Sequence, residues 1–210
     1  MTILKQCAAA AAAIMAGATA QAAERTYPAD ETITGLKAAR GVVVRLIPGD
    51  EQQIRASTDA TDFDELVVEV KKGVLTVSRK MSFNIDTSPR YEVEVTLGEI
   101  DYLKTATGSV VEAGSFALGD LVASIDTGSV ATISGSCDEL DVEVSTGGVF
   151  EADGLQCSSV RAKASMGGVA EVYASADADA TARMGGVVTI AGSPESVQKN
   201  KMMGGVVEVK

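Results

Sequence analysis

Residues 160–172 read Val-Arg-Ala-Lys-Ala-Ser-Met-Gly-Gly-Val-Ala-Glu-Val and contain one unit of the pattern that decides the fold. The tripeptide Gly-Gly-Val, or its variant Gly-Ser-Val, starts at six positions that lie 20, 19, 20, 18 and 19 residues apart. The six starting glycines are Gly108, Gly128, Gly147, Gly167, Gly185 and Gly204. A nearly equal period of this length is typical of repeat architectures, in which each unit buries its apolar face only against its neighbours.

Apolar and polar residues alternate on the N-terminal side of each repeat glycine. In the unit quoted above, Val160, Ala162 and Ala164 alternate with Arg161 and Lys163. A period of two predicts a strand with one buried face and one solvated face. The glycine permits the positive φ of a corner. The pattern therefore predicts an all-β fold in which each unit consists of two or three short strands broken at glycine.

Two cysteines distinguish between the topologies that suit such units, a parallel solenoid and an antiparallel meander. Cys137 and Cys157 each stand ten residues before a repeat glycine, so they occupy equivalent positions of neighbouring units. A disulfide requires Cα atoms about 4.4–6.8 Å apart. Stacked coils place equivalent residues about 4.8 Å apart, whereas a meander places them at roughly twice that distance. We therefore predict a single-stranded parallel β-helix with coils of about 19–20 residues and a structural disulfide between Cys137 and Cys157.

The N-terminus has the features of a secretory signal peptide. One early positive charge, Lys5, precedes an apolar run over residues 7–18 and small residues at Ala20, Ala22 and Ala23. The run is shorter than the roughly 20 apolar residues that a bilayer span requires. We predict cleavage after one of these three alanines, export to the periplasm, the outer cell surface or the medium, and no transmembrane segment after cleavage.

The rest of the chain is predicted to form one domain. Residues 1–23 form the signal peptide and residues 24–210 the domain, with less regular strands over 24–100 and regular coils over 101–210. The chain has no Trp and only 4% aromatic residues. A narrow solenoid core is filled well by the small and β-branched residues that predominate instead.

Several segments of the chain resemble one known family in their order and spacing. They are Val42 to Ile47 followed by Pro48-Gly-Asp, then Val74-Leu-Thr-Val, then the glycine corners, and an ending of Met184-Gly-Gly-Val-Val-Thr-Ile-Ala-Gly-Ser-Pro and Met203-Gly-Gly-Val-Val. Over roughly residues 30–210 the chain is similar to the putative auto-transporter adhesin head domain, called the GIN domain. The resemblance implies a right-handed β-solenoid in an exported bacterial protein. The family's usual Ser-Gly-Ser-Gly corners are replaced here by Thr-Gly-Ser or Met-Gly-Gly.

Composition excludes several classes of function. The formal net charge is −11 and no basic cluster occurs, so nucleic-acid binding has no electrostatic basis. The chain contains no His, which excludes the common Ser-His-Asp triad and removes the commonest zinc ligand. The glycines do not form a phosphate-binding loop because no Gly-x-x-x-x-Gly-Lys-Ser/Thr motif occurs. No catalytic and no cofactor-binding residue is predicted.

Two columns of equivalent residues are candidates for ligand binding. Four residues after each repeat glycine stand Glu112, Thr132, Glu151, Glu171, Thr189 and Glu208. Glu151 and Glu171 are adjacent in this column, and Ca²⁺ would relieve the repulsion between their carboxylates. The alternative is a solvated strand face with screened charges. The second column stands immediately before the glycines, as Thr107, Thr127, Thr146, Met166, Met184 and Met203. Its parity predicts core or corner packing rather than a methionine metal site.

The predicted function is binding without catalysis. The repeats carry no inserted loops that would build a cleft, and loops are where solenoid proteins usually hold their sites. We expect an exported envelope or cell-surface module that acts in adhesion or scaffolding by binding a glycan or a protein through the solenoid faces. The alternative is a polysaccharide-cleaving β-helix enzyme that uses a carboxylate pair, such as Asp138 and Glu139 or Asp177 and Asp179.

Overall fold

The computed structural model describes residues 23–29, 31–60, 62–80 and 89–210. The predicted signal peptide lies outside these residues except for Ala23, which begins the first strand. Within the described ranges the ordered elements are sixteen strands and no helix. They are β1 (Ala23–Tyr27), β2 (Gly35–Ala39), β3 (Val43–Pro48), β4 (Gln53–Thr58), β5 (Leu66–Lys71), β6 (Val74–Arg79), β7 (Tyr91–Leu97), β8 (Tyr102–Ala106), β9 (Val110–Ala117), β10 (Asp120–Ile125), β11 (Val130–Val144), β12 (Val149–Ala164), β13 (Val169–Arg183), β14 (Val187–Ala191), β15 (Ser196–Met202) and β16 (Val206–Val209).

The regular half of the chain is a β-solenoid of about five coils, as the sequence predicts. Each coil contributes to two parallel ladders. The strand β11 pairs with β9 through its first residues and with β10 through its last six, Glu139–Val144. Strands β12 and β13 pass from one ladder into the other in the same way. The coils of β9–β10 and β14–β15 consist of two short strands each, as predicted. In β11, β12 and β13 the strand is instead continuous between glycine corners and bends through register shifts.

Inward-facing residues stack in columns and form one core. The residue after each repeat valine is buried in every coil; the column is Val111, Ala131, Phe150, Ala170, Val188 and Val207. In the other ladder Leu140, Val160 and Ala178 occupy one column and are also buried. Because each residue packs against its equivalents above and below, small and β-branched side chains fill the core without Trp.

The predicted disulfide joins neighbouring coils. Cys137 and Cys157 are register partners in the parallel pair of β11 and β12, and their Cα atoms are 4.4 Å apart. Both side chains are buried. The bond and the parallel pairing confirm the stacked topology, because a meander would have separated the two residues by another strand.

The first strands of the domain extend the same stack, which the sequence pattern did not indicate. Strands β2 and β3 pair in parallel with β8 and β9, and a seventh corner at Arg40 and Gly41 joins them. The amide of Gly41 donates to the carbonyl oxygen of Thr107 at 3.0 Å, so this corner lies directly on the first repeat corner. Strands β6 and β7 form the next layer.

The N-terminal end of the stack is covered by antiparallel strands. Strand β4 pairs antiparallel with β7, β1 pairs antiparallel with β4, and β5 pairs antiparallel with β6. Beneath them Phe63 packs against Tyr91, with ring centroids 6.4 Å apart, and Arg25 lies 5.1 Å from the Phe63 ring. A repeat stack needs such capping because its terminal coils would otherwise leave core and strand edges in water.

Candidate functional site

Each repeat corner is a tight turn whose two central residues both have positive φ. Thr146 and Gly147 have φ of 51° and 71°, and Met166 and Gly167 have 47° and 75°. The turn closes through a backbone hydrogen bond, in which the amide of Gly148 donates to the carbonyl of Ser145 at 2.9 Å. Positive φ at both central positions is the mark of a type I′ turn. The first repeat glycine is therefore needed for its conformation.

The second glycine of Gly-Gly-Val is needed for space. A Cβ on Gly148 would lie 2.6 Å from the carbonyl oxygen of Ile125, and one on Gly168 would lie 2.7 Å from that of Val144. In both cases the obstacle is the backbone of the neighbouring coil, which cannot rotate away. The two Gly-Ser-Val corners instead bury a serine here, and the hydroxyls of Ser129 and Thr105 are hydrogen-bonded at 3.0 Å.

The prediction of core or corner packing for the Thr and Met column is wrong for the core, because these residues lie at the corners and are exposed. Met166, Met184 and Met203 have exposed fractions of 51%, 48% and 75%, and Thr107, Thr127 and Thr146 are also exposed. The parity argument failed because alternation holds only for extended backbone. The left-handed residue at the turn reverses the direction of its side chain, so a position that counts as inward in a strand points outward at the corner.

The glutamate column exists and lies on an outward face, which we call the glutamate face; its glutamates are exposed or half-buried, whereas Thr189 is buried. It comprises the outward side of β9, β14, β16 and the first parts of β11, β12 and β13. Glu151 and Glu171 are register partners, as predicted. Thr132 donates its hydroxyl proton to Glu151 Oε2 at 3.1 Å. No group of three or more acidic or Cys side chains able to hold a metal ion occurs within the described ranges. The cation column therefore stays a prediction.

The same column continues into the N-terminal strands with alternating charge. Arg55, Glu94, Arg45 and Glu112 follow one another through paired strands. Arg45 Nε lies 3.1 Å from Glu112 Oε2, and Arg55 Nη1 lies 3.6 Å from Glu94 Oε1. Half-exposed pairs of this kind contribute about 0–1 kcal/mol each. These pairs balance the charge of the column over β4, β7, β3 and β9. The rest of the column, from β11 to β16, is left acidic.

A column of valines runs beside the glutamates on the same face. These side chains point outward yet are half-buried against one another, except for the more exposed Val206 at the end; the column is Val43, Val110, Val130, Val149, Val169, Val187 and Val206. The glutamate face thus presents an aliphatic ridge flanked on one side by carboxylates and on the other by the corner residues.

The other ladder carries a polar hollow of about 270 Å³. Glu139, Asp177 and Asp179 line it together with Arg161. Arg161 Nη1 lies 3.8 Å from Glu139 Oε1 and 3.3 Å from Asp141 Oδ2, so it is held between two acidic side chains. The structure brings the predicted pair Asp177 and Asp179 to one site. Asp138 does not line the hollow, so the other predicted carboxylate pair, Asp138 and Glu139, is not brought together at this site.

A shallow groove of about 630 Å³ lies beside the C-terminal ends of β3 and β9. Sequence reasoning did not predict it. Ile47, Pro48, Ala113 and Ser115 line it. It forms where the register between β9 and β11 shifts and where Ser115 adopts a φ of 58°. No sequence signal shows that β3 and β9, 67 residues apart at Val43 and Val110, are neighbours.

Comparison with known proteins places this architecture among adhesin-like domains. The family model described as "Putative auto-transporter adhesin, head GIN domain" matches residues 33–194. A putative adhesin from Bacteroides fragilis superimposes with a TM-score of 0.68 at 14% identity, over 91% of this chain and 98% of that one. A putative lipid binding protein from Parabacteroides distasonis gives a TM-score of 0.51 at 17% identity, over 90% and 97%. At these identities the superpositions show the fold alone. Comparison with curated proteins gave no match.

No helix among the described residues has the length and apolar character to span a membrane.

Proposed function

Because the chain belongs to the GIN-domain family of putative auto-transporter adhesin heads, we propose that it is a non-enzymatic, exported surface module that binds a protein or a glycan through the faces of its solenoid. The observation that carries the proposal is the glutamate face. It repeats the same three outward columns over successive coils without an inserted loop. Repeated, nearly identical contacts suit multivalent binding, in which weak individual contacts add up.

The position of the protein outside the cytoplasm is supported by two features of the chain. The buried disulfide between Cys137 and Cys157 is of the kind that forms in oxidising, exported compartments. The signal-like residues 1–23 would direct the chain there. N-terminal sequencing of the stable protein should find a start near Gln21 to Glu24. A cytoplasmic form that retains Met1 would contradict export.

The binding proposal can be tested by charge reversal on one face at a time. The fluorescently labelled protein should bind saturably to cells of the producing organism, and the variant E151K/E171K should lose most of that binding. The matched control D120K/E143K makes the same change of net charge at exposed residues of the other ladder and should bind normally. Loss of binding in both variants would indicate a general charge effect and contradict recognition by the glutamate face.

Treatment of the cells separates the two partner classes. Protease treatment of the cells should abolish binding if the partner is a protein, and periodate oxidation should abolish it if the partner is a glycan. Binding that survives both treatments would contradict both classes.

Cleavage of a polysaccharide is the second candidate function, and the hollow beside Arg161 is the observation that favours it. Glu139 and Asp177 occupy the same column two strands apart, which separates their Cα atoms by about 10 Å. Inverting glycosidases hold their two carboxyl groups about 6.5–9.5 Å apart. However, the hollow is shallow and lies on an open sheet face, which gives a sugar ring little to close around it. Release of reducing ends that is lost in D177N would overturn the binding proposal in favour of catalysis.

A further inference from the structure

Three methionines form an exposed column at the corners of the last coils. Met166, Met184 and Met203 precede the glycines of three successive corners, and about half or more of each side chain is in water. The three preceding corners have Thr at this position. Large apolar side chains are usually withdrawn from water. The exposed column is therefore not explained by the core.

The backbone fixes these three residues one above another. The amide of Gly167, which follows Met166, donates to the carbonyl of Met184 at 3.2 Å. Val187 and Val206, three residues after Met184 and Met203, are register partners in β14 and β16. Strands in register lie about 4.8 Å apart. The left-handed φ of Met166, Met184 and Met203, between 46° and 48°, turns all three in the same way. The unbranched side chains can thus bring their sulfur atoms together beside the middle residue.

Thioether sulfur is a soft ligand that selects soft monovalent cations such as Cu(I). The chain contains no His, and both cysteines of the described part are tied in the disulfide. No imidazole or free thiol of that part competes for such an ion. The hard carboxylates of the glutamate column prefer Ca²⁺ or Mg²⁺. We propose that Met166, Met184 and Met203 form a binding site for a soft monovalent cation, Cu(I) or its analogue Ag(I).

The proposal is distinct from the adhesive function and can fail without it. An apolar docking patch would need only the bulk of the three side chains, which leucine preserves. A thioether site needs the sulfur atoms. Substitution of Met by Leu separates these two roles, and because Leu and Met both carry a Cβ at the same left-handed position, the corner backbone is strained equally in either case.

The experiment is titration of the purified exported protein, which lacks Cys7 after the predicted cleavage, with Ag(I). This ion needs no reductant and so leaves the disulfide intact. Calorimetry should show one ion per chain, and the methyl resonances of Met166, Met184 and Met203 should shift together. The triple variant M166L/M184L/M203L should lose this binding, and each single variant should weaken it about tenfold or more. The matched control M81L removes one thioether elsewhere in the sequence and should bind as the parent does.

Arg183 gives an independent check. It is exposed and immediately precedes Met184, so its charge opposes a bound cation. We expect R183Q to tighten Ag(I) binding. No binding, binding unchanged in the triple leucine variant, or an equal shift of the Met81 methyl resonance would each overturn the proposal.

Discussion

The two ends of the solenoid differ in how their exposed strand edges are protected. At the N-terminal end the antiparallel strands β1, β4 and β5 cover the stack, and the outward column alternates between Arg and Glu. At the C-terminal end the edge strands are β15 and β16, which pair on one side only within the described residues. There Lys199 and Lys201 occupy the inward columns below Ala180 and Ala182. A covering strand and exposed charges at inward register positions are thus two ways to stop a repeat from adding further strands.

The difference has a consequence for stability along the stack. A middle coil is held by neighbours on both sides, whereas the last coil has one neighbour and an exposed β15. In repeat proteins stability is approximately a sum over units and their interfaces. The same substitution should therefore cost more in the middle of the stack than at its C-terminal end.

Valine at a second corner glycine is the most severe test of this comparison. G168V would place a side chain against the carbonyl of Val144 between two fixed coils, so we expect a loss of about 4 kcal/mol or more. A Cβ on Gly205 would lie 2.2 Å from the carbonyl oxygen of Ala182, closer than the 2.7 Å at Gly168, but the last coil has a neighbour on one side only and can move away. G205V should cost less than half as much by urea unfolding. Equal losses would show that the last coil is as constrained as a middle one.

Removal of the disulfide tests the middle of the stack. The bond closes a loop of 20 residues, and C137A/C157A should lower the free energy of unfolding by about 3 kcal/mol. Thiol labelling of the denatured, non-reduced parent should detect neither Cys137 nor Cys157. Two labelled thiols would contradict the bond.

Alkaline pH should weaken the N-terminal cap selectively. Burial raises the pKa of Tyr91, and the negative charges of Glu65 and Asp62 raise it further. A folded pKa above the unfolded value of 10.0 means that the native state holds the proton more tightly, so this stability is complete below pH 10 and is lost as pH rises through the folded pKa. Amide exchange at high pH should increase first near β4 and β7. In Y91F that selective increase should be absent.

The lysines of β15 can be tested by removing their charge. K199V/K201V would extend the apolar inward columns to the open edge, and we expect the variant to self-associate. Sedimentation should show larger species than the parent forms, and the conservative variant K199R/K201R should sediment as the parent does. A valine variant that sediments as the parent does would mean that something other than these charges protects the edge.

Single carboxylates on the glutamate face should show the smallest effects, with opposite signs. E112Q removes the partner of Arg45 and should cost about 0.5 kcal/mol at low salt. E171Q relieves the repulsion from Glu151 and should gain about 0.3 kcal/mol. If the column binds Ca²⁺, E151Q/E171Q should also abolish any calcium-dependent rise in Tm. The same sign for E112Q and E171Q would contradict the contrast between the two parts of the column.

The sequence predicts the regular coils well because their signals are local. A glycine with positive φ, alternation over five residues and two cysteines at equivalent positions each depend on short segments. Gly41 carries the same corner signal as Gly108, but 67 residues separate the two, because β4 to β7 lie between them in sequence and form the layer beyond β2 and β3 with its antiparallel cover. Periodicity along the chain cannot detect a coil whose neighbour in space is so distant in sequence.

The candidate sites were predicted less completely. The glutamate column follows from equal spacing alone, whereas the exposure of Met166, Met184 and Met203 depends on a turn conformation that alternation does not describe. The hollow of Glu139, Asp177 and Asp179 depends on the register between β11 and β13, which includes a shift near Cys157. Equal spacing in the sequence predicts which residues share a column. The register shifts determine which columns lie side by side, and these shifts are not visible in the spacing.

Since every coil contacts only the coils beside it, the molecule presents equivalent residues at a constant spacing of about 4.8 Å. Insertion of one further unit of about 20 residues between Gly148 and Gly168 would lengthen the solenoid by one coil and leave the packing of the other coils unchanged. A partner with the same regular spacing would then bind through a number of contacts that is set by the number of coils. Length, rather than any single residue, would set which partners are held firmly.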